Sequence, residues 1–173
     1  MKSASAPFKA PERSLEKRSH CRRISPINPH YVNLPIEAGF DFSTRLGGVH
    51  FDRLYLVVFR SVRRATADLK LLKEQDDRAY EAALEAGGLL RYFKGEMNER
   101  RECLSFCLWE RREQAVLAAG GASHRTAAQL TAQMYESYVL ERYDLAKGAE
   151  GLAFRRLEGA PPREGLMPSD GLA

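Results

Sequence analysis

The sequence predicts an α+β domain in which two helices cover one face of an antiparallel sheet, and three observations lead to this fold class. Several short runs alternate apolar side chains with a period of two, as strands do. Two longer runs repeat apolar residues with the period of a helix. The order of these runs is βαββαβ, which is the split βαβ or ferredoxin-like order. The predicted strands are residues 52–60, 89–94, 103–109 and 138–143, and the predicted helices are residues 65–86 and 127–134.

The first strand, residues 52–60, is apolar on both sides, as a central strand covered twice would be. Leu54, Leu56 and Val58 share one side of it. We expect that side to meet the apolar stripes of the two helices, which include Leu72 and Met134, in a single core. The glycine pair at 87–88 should end the first helix, since glycine adopts the left-handed conformation that stops helices.

Composition and chain order predict one domain with two tails. The chain has 173 residues, 44% of them hydrophobic and 29% charged, as in ordinary globular proteins. Residues 1–30 are basic and interrupted by prolines, so they predict a disordered arm. The domain should span residues 31–158, with its core at 50–147 and an edge strand or strap at 31–46. A frayed tail, residues 159–173, should follow, and residues 152–157 suit a last edge strand.

The net charge of +4 is concentrated at the start of the chain. Residues 1–23 carry seven basic residues and two acidic ones, a balance of +5, which leaves −1 on the remaining 150. A basic tail on a neutral domain argues against specific nucleic-acid binding. No apolar run approaches the ~20 residues of a membrane span. We expect a cytoplasmic protein, with mitochondrial import as the alternative because the basic, serine-containing start is similar to a presequence.

The cysteines predict free thiols. Cys21, Cys103 and Cys107 are an odd number without a secretory signal, which indicates a reducing compartment. Cys103 and Cys107 lie four residues apart on one strand, roughly 13 Å, which is too far for a bridge. The chain has no zinc-ligand spacing, phosphate loop or dinucleotide fingerprint. We therefore expect neither a metal nor a bound cofactor.

The helices of this order cover only one face of the sheet. The other face is too apolar for water, so it must meet a ligand, the N-terminal strap or a second copy of the chain. We expect a homodimer that pairs through this face. A monomer in which residues 31–46 cover the face is the alternative.

His124 is the candidate catalytic residue. It follows the glycine pair 120–121 near the predicted start of the second helix, where a side chain can face a pocket, and it titrates near neutral pH. The structural alternative is that it packs or caps at the helix start, with Ser123 as N-cap.

Five further residues are candidates for substrate binding. Asp76 lies in the apolar stripe of the first helix, where a carboxylate must be paired, lie at a rim or have a raised pKa. Trp109 suits either ligand stacking or closure of the core. Tyr138, Arg142 and Tyr143 lie on the last predicted strand, where a ligand oxygen can be bound but where aromatic residues and ion pairs are commonly structural.

Two motifs carry a resemblance to known proteins. The run LSFCLWE at 104–110, the later His124 and the run YESYVLERYDL at 135–145 are similar to a family of small fungal proteins. More broadly, residues 30–158 resemble dimeric α+β barrel proteins of the antibiotic-biosynthesis-monooxygenase-like kind. The resemblance implies paired sheets with a pocket between each sheet and its helices.

The resemblance also implies a choice of activities. Proteins of this superfamily oxygenate polycyclic phenols without a cofactor, dehydrate or cyclise polyketide intermediates, or degrade haem. We expect a protein that binds an apolar small molecule, with cofactor-independent monooxygenase or cyclase or dehydratase activity, and with a non-catalytic binding protein as the alternative. Haem degraders use an Asn, a Trp and a His; Trp109 and His124 match two of these, and no Asn matches the third.

Overall fold

The computed structural model describes residues 12–121 and 129–157. Five strands form the sheet: β1 Leu54–Arg63, β2 Leu89–Phe93, β3 Glu102–Trp109, β4 Tyr135–Gly148 and β5 Gly151–Arg156. The α-helices are α1 Glu12–Arg22, α2 Ile36–Gly39, α3 Phe42–Leu46, α4 Leu69–Glu85 and α5 Arg112–Ala119. A 3-10 turn spans Tyr31–Asn33, and residues 129–134 are helical. The described part contains no helix that is both long and apolar enough to cross a membrane.

The sheet is antiparallel throughout, in the order β2-β3-β1-β4-β5. Its first four strands have the ferredoxin-like arrangement, so the predicted fold class is confirmed. The register pairs Val58 with Phe106 on β3 and Leu56 with Tyr143 on β4. Because paired residues point to the same side, the register assigns every strand residue to one of two sheet faces.

Helix α4 begins and ends where its sequence directs. The Asp68 side chain accepts a hydrogen bond from the Leu71 backbone N–H at 2.9 Å, which caps the helix N-terminus. Gly87 and Gly88 both have positive φ angles, 73° and 74°, so they end the helix as predicted. The chain then enters β2 one residue later.

One sheet face, which we call the strap face, is covered by residues 21–51, the strap. The fully buried side chains of Leu56, Val58 and Phe106 pack there against strap residues such as Ile36 and Phe40. The Phe40 ring meets the Phe106 ring edge-on at 5.2 Å between centroids. The chain itself covers this face. The strap face is therefore not available as the interface of the homodimer that we predicted. The alternative prediction, a strap laid over the face, matches the structure.

The strap begins earlier than the sequence predicts. Residues 12–22 form α1, and Cys21 and Ile24 are completely buried, although the sequence predicts a disordered arm up to residue 30. The apolar residues are too sparse to give α1 an amphipathic period. The segment is nonetheless ordered because Cys21 and Ile24 are buried against the sheet. Residues 1–11 and 159–173 lie outside the described part of the chain.

The second sheet face, which we call the helix face, is covered by α4 and α5. Tyr55 and Trp109 of the sheet pack there with Ala83 of α4 and Ala115 and Ala118 of α5. The single core that we predicted is therefore wrong, because Leu56 and Leu72 lie in different layers. The sheet separates two cores, one on each side, and the larger core is the one beneath the strap.

Candidate functional site

A cluster of titratable side chains lies on the helix face between the sheet and α4. Helix α4 presents Asp76, β2 presents Tyr92, and Lys94 follows the end of β2. The Tyr92 hydroxyl donates a hydrogen bond to Asp76 Oδ1, and Lys94 Nζ donates one to Oδ2. Asp76 is thus hydrogen-bonded and ion-paired, which is the first of the three alternatives that the sequence leaves for a carboxylate in this stripe. We call these three residues the Asp76 cluster.

The Tyr92 hydroxyl is a proton donor that does not ionise at neutral pH. Burial raises the pKa of Tyr92, and the negative charge of Asp76 raises it further. The ring of Tyr92 also meets that of Tyr80 on α4, with centroids 5.4 Å apart. Tyr92 is therefore held in one orientation by both its ring and its hydroxyl.

Tyr138 lies on the same face, on β4 opposite Ser61 of β1. Its ring contacts the rings of Tyr135 and Phe59, with centroid distances of 5.0 and 6.4 Å. Burial raises the pKa of Tyr138, and the nearby Tyr135 adds to that shift. Within residues 12–121 and 129–157, its hydroxyl makes no hydrogen bond, so it can donate to a ligand oxygen.

Cys107 faces the same layer from β3, opposite Val57. Burial raises the pKa of the Cys107 thiol to about 12, and Asp76 contributes to the rise. The thiol therefore stays protonated at neutral pH and is a poor nucleophile. Cys107 is also free, as the sequence predicts.

Trp109 and Arg142 also lie on the helix face. Trp109 is 3% exposed and packs in the core beneath α5, which fits the structural alternative of core closure. Arg142 pairs across from Val57 and is half-buried, and its backbone carbonyl accepts a hydrogen bond from the Leu157 N–H at 2.8 Å. Four of the five predicted binding residues, including Asp76 and Tyr138, therefore share one face.

Tyr143 is the exception, because it lies on the strap face. Its hydroxyl donates to Glu141 Oε2 at 2.9 Å, and Glu141 Oε1 accepts from Arg60 Nε at 2.9 Å. Tyr143 and Tyr138 are separated by the sheet and cannot contact the same ligand. Their odd sequence separation of five residues on one strand already places them on opposite faces. His124 lies outside the described residues.

Tyr92 and Lys94 belong to the cluster although the sequence pattern does not single them out. They lie on a short run of mixed polarity, LLRYF followed by Lys94. Their partner Asp76 is on α4, 16 residues before Tyr92. The available signal was Asp76 itself, since a carboxylate in an apolar stripe requires donors from a neighbouring element. Which element supplies them follows from the sheet order and not from the local pattern.

A half-open groove of about 230 Å³ adjoins this cluster at the edge strand β2. It is lined by Arg22 of α1, Tyr80 and Leu84 of α4, and residues 89–92 of β2. The ring of Tyr92 belongs to both the groove and the Asp76 cluster. The described side chains include no cluster of three His, Cys, Asp or Glu residues that a metal ion would need.

Comparison with known proteins gives one family and several solved structures. The PB2B2.08-like family matches residues 6–156. The structure of Rv0793 from Mycobacterium tuberculosis is 14% identical, with a TM-score of 0.46, and the match covers 51% of this chain and 91% of that one. A putative antibiotic biosynthesis monooxygenase from Nitrosomonas europaea is 13% identical, with a TM-score of 0.46 and coverage of 58% and 95%.

A third similar structure is SnoaB, a cofactor-independent oxygenase from Streptomyces nogalater. It is 11% identical, with a TM-score of 0.43, and the match covers 53% of this chain and 91% of SnoaB. No curated protein matches the sequence.

Proposed function

The chain belongs to the PB2B2.08-like family, and we propose that it binds an apolar small molecule between the helix face and α4 and acts on it as a cofactor-independent monooxygenase. The observation that carries the proposal is the Asp76 cluster, a bonded carboxylate, phenol and ammonium in the layer between the sheet and α4, beside a groove. Titratable groups gathered beside a concave surface are typical of functional sites.

The proposed chemistry uses the substrate itself as reductant and dioxygen as oxidant. A base removes a proton from a CH₂ group that is activated by neighbouring aromatic rings and a carbonyl. The resulting carbanion adds to dioxygen, and the peroxide then loses water, so that CH₂ and O₂ become C=O and H₂O. During proton removal, negative charge develops on the substrate oxygen. Phenol hydroxyls that are fixed before the reaction stabilise such a charge.

Tyr138 and Lys94 supply the donors in this proposal. The single proton of the Tyr92 hydroxyl is already donated to Asp76, whereas Lys94 uses only one of its three N–H donors there. The Tyr138 hydroxyl is directed from β4 into the layer and has no partner among the described side chains. The raised pKa of Tyr138 keeps its hydroxyl protonated, as a donor must be. His124 is the proposed base, on the sequence argument that it follows the glycine pair 120–121 near the predicted start of the second helix and that histidine is a common general base.

Oxygen consumption with a tricyclic probe tests the proposal. Anthrone has a CH₂ group between two aromatic rings and opposite a carbonyl. We expect the protein to accelerate oxygen uptake with anthrone, and Tyr138→Phe to lower turnover by about 10²-fold, the cost of one oxyanion donor. Tyr143→Phe is the matched control, since Tyr143 lies on the strap face. Equal losses in the two variants, or equal rates with and without protein, would exclude this activity for the probe and this role for Tyr138.

A non-catalytic binding protein is the second candidate. The groove volume of about 230 Å³ favours it, because pockets for drug-sized ligands measure about 300–1,000 Å³. Native mass spectrometry of the purified protein separates the two candidates. A copurifying molecule that is released unchanged after incubation in oxygenated buffer supports the binding protein, whereas one that gains oxygen supports the enzyme.

A further inference from the structure

The groove at β2 contains two arginines that the proposed chemistry does not use. Arg22 ends α1, and Arg91 lies in the middle of β2. The strand is at the sheet edge, and α1 and α4 flank it, so the groove collects side chains from three elements. Leu84, Leu89 and Leu90 provide its apolar lining. A guanidinium group that is partly buried beside leucines, as that of Arg91 is, is unusual without an acidic partner.

Neither arginine has an acidic partner in the described part of the chain. In that part of the chain, every ion pair with an N–O distance of 4.0 Å or less is formed by a cation other than Arg22 or Arg91. Arg91 Nε is buried and makes no hydrogen bond. The side chain's one recorded contact places its guanidinium carbon 5.8 Å from the centre of the Phe93 ring. Burial lowers the pKa of Arg91, as expected for a cation that is desolvated without a carboxylate nearby.

A buried donor without an acceptor is costly, and an anionic ligand would remove that cost. A carboxylate is the best-matched anion, because its two oxygens fit the paired donors of a guanidinium. The part of the ligand that meets the leucines should be apolar, and flat enough to lie beside the rings of Tyr80 and Tyr92. The volume of about 230 Å³ limits it to a molecule smaller than drug size.

We propose that the β2 groove binds a small aromatic carboxylic acid, whose carboxylate is held by Arg91 and Arg22 and whose ring lies against Tyr92, Leu84 and Leu89. This inference rests on the proposed function in one respect, since it names the substrate class for an adjoining site. Arg91 lies on the strap-face side of the edge strand, and Tyr92, on the helix face, belongs to both the groove and the Asp76 cluster. The acid's ring would reach the cluster from the groove side.

Binding of 2-naphthoate and 2-naphthamide to the full chain tests the inference. The two molecules have nearly the same shape and differ in charge. Isothermal titration calorimetry should give a Kd for the naphthoate that is about 10- to 100-fold lower, the gain expected when a charged group accepts the hydrogen bonds. The preference should shrink as salt is raised, because Arg22 is exposed.

Variants locate the binding. Arg91→Gln and Arg22→Gln should each reduce the preference for naphthoate at least several-fold, and Arg112→Gln, an exposed arginine of α5 outside the groove, should not change it. Circular dichroism melts establish whether each variant is folded. If Arg91→Gln does not fold, Arg22→Gln still tests the site, since Arg22 is exposed and its replacement should not affect folding.

The outcomes separate the inference from the proposed function. Equal affinity for the two probes overturns the acidic class and leaves the monooxygenase proposal standing. A naphthoate preference that survives both groove variants overturns this site. If neither probe binds at millimolar concentration, the inference is also overturned. The monooxygenase proposal is then still tested separately, by oxygen uptake with anthrone. If both groove variants reduce the naphthoate preference and the protein shows no oxygenase activity, the inference is supported and the monooxygenase proposal is rejected.

Discussion

Asp76 lies in an apolar layer, and its surroundings determine whether a carboxylate there is tolerated. Tyr92 and Lys94 each donate to one of its oxygens, so the charge is bonded on both sides. The Lys94 side chain is 45% exposed and that of Asp76 is 31% exposed, so the ion pair lies at the rim of the layer. Solvent screens such a pair, and its stabilisation comes mainly from the hydrogen bond with Tyr92.

Replacement of Asp76 by Asn should therefore lower the free energy of unfolding by about 1 kcal/mol, because a charged acceptor becomes a neutral one. Urea denaturation followed by the emission of Trp109, the only tryptophan, measures the change. Asp77→Asn is the matched control, since Asp77 is exposed and pairs with Lys73 on the helix surface. An unchanged urea midpoint in the Asp76 variant would show that the cluster contributes nothing to stability.

His124→Ala tests the proposed base. We expect the variant to fold normally and to lower turnover by about 10²–10⁴-fold, the usual contribution of a general base. His50, an exposed histidine in the strap, provides the control substitution. Unchanged turnover in His124→Ala, measured as oxygen uptake with an accepted probe, would reject the assignment.

The Cys107 thiol predicts how stability changes at alkaline pH. Burial raises its pKa from 9.0 to about 12, so the folded chain keeps the proton that the unfolded chain releases near pH 9. The thiol's contribution is fully present below pH 9 and is lost as pH rises towards 12. Stability should fall by up to about 1 kcal/mol per pH unit for this group. Urea midpoints between pH 8 and 10.5 measure the slope, and Cys107→Ala should make it shallower. Identical slopes in the two proteins would contradict this assignment.

At the scale of elements, the strap is attached to the sheet by one side chain in particular. The Arg60 guanidinium on β1 donates to the carbonyl oxygens of Val32 and Leu34, at 2.6 and 2.8 Å, and pairs with Glu141 of β4. The strap has little regular structure, so these carbonyls have few other donors. Arg60 thus satisfies the strap's backbone and compensates a half-buried carboxylate at the same time.

Arg60→Met should release this part of the strap. Loss of the guanidinium leaves the two carbonyls without this donor and leaves Glu141 without its counter-ion, although the Tyr143 hydroxyl still donates to Glu141; the change should cost about 2–4 kcal/mol. Hydrogen exchange should become faster in residues 31–46 and remain unchanged in β3. Arg53→Met is the control, because Arg53 is exposed and its partner Asp144 also pairs with Arg155. Faster exchange across the whole sheet without selective release of the strap would contradict the attachment.

At the scale of the whole molecule, the sheet has apolar residues on both faces and a covering layer on each. The strap face contains most of the fully buried side chains, including a contact network of Phe40, Phe42, Phe93 and Phe106. A second copy cannot reach this face while the strap occupies it. Pairing through it would require the strap to leave and its buried area to be replaced.

We therefore expect the chain to have the mass of one copy, 19.5 kDa, at micromolar concentration. Light scattering coupled to size exclusion measures this directly. Phe40→Ala, which removes a ring from the strap face, should cost about 3–5 kcal/mol and promote association by exposing that face. A stable dimer of the unchanged chain would show that copies associate through a surface other than the strap face.

The sequence by itself determined the elements that depend on local patterns. The alternation at 54–58 and 104–108, the helical period before the glycine pair at 87–88, and the βαββαβ order were all sufficient for the fold class. These signals are local, because strand alternation, helix period and left-handed glycines follow from the geometry of a few consecutive residues. Tyr138 and Arg142 also share a face by sequence alone, since residue parity on a strand fixes the side of each side chain.

Only the tertiary structure decided what covers each face and which side chains meet. The Asp76 cluster joins residues 16 and 18 positions apart, and Arg60 joins the strap to β4 across 28 and 81 positions. Such contacts depend on strand order and on how the strap closes, and the local pattern around Arg60 or Tyr92 does not encode either. The strap was ambiguous for the same reason: its short, proline-broken runs have no period of their own, and it is ordered because the apolar sheet face beneath it must be buried.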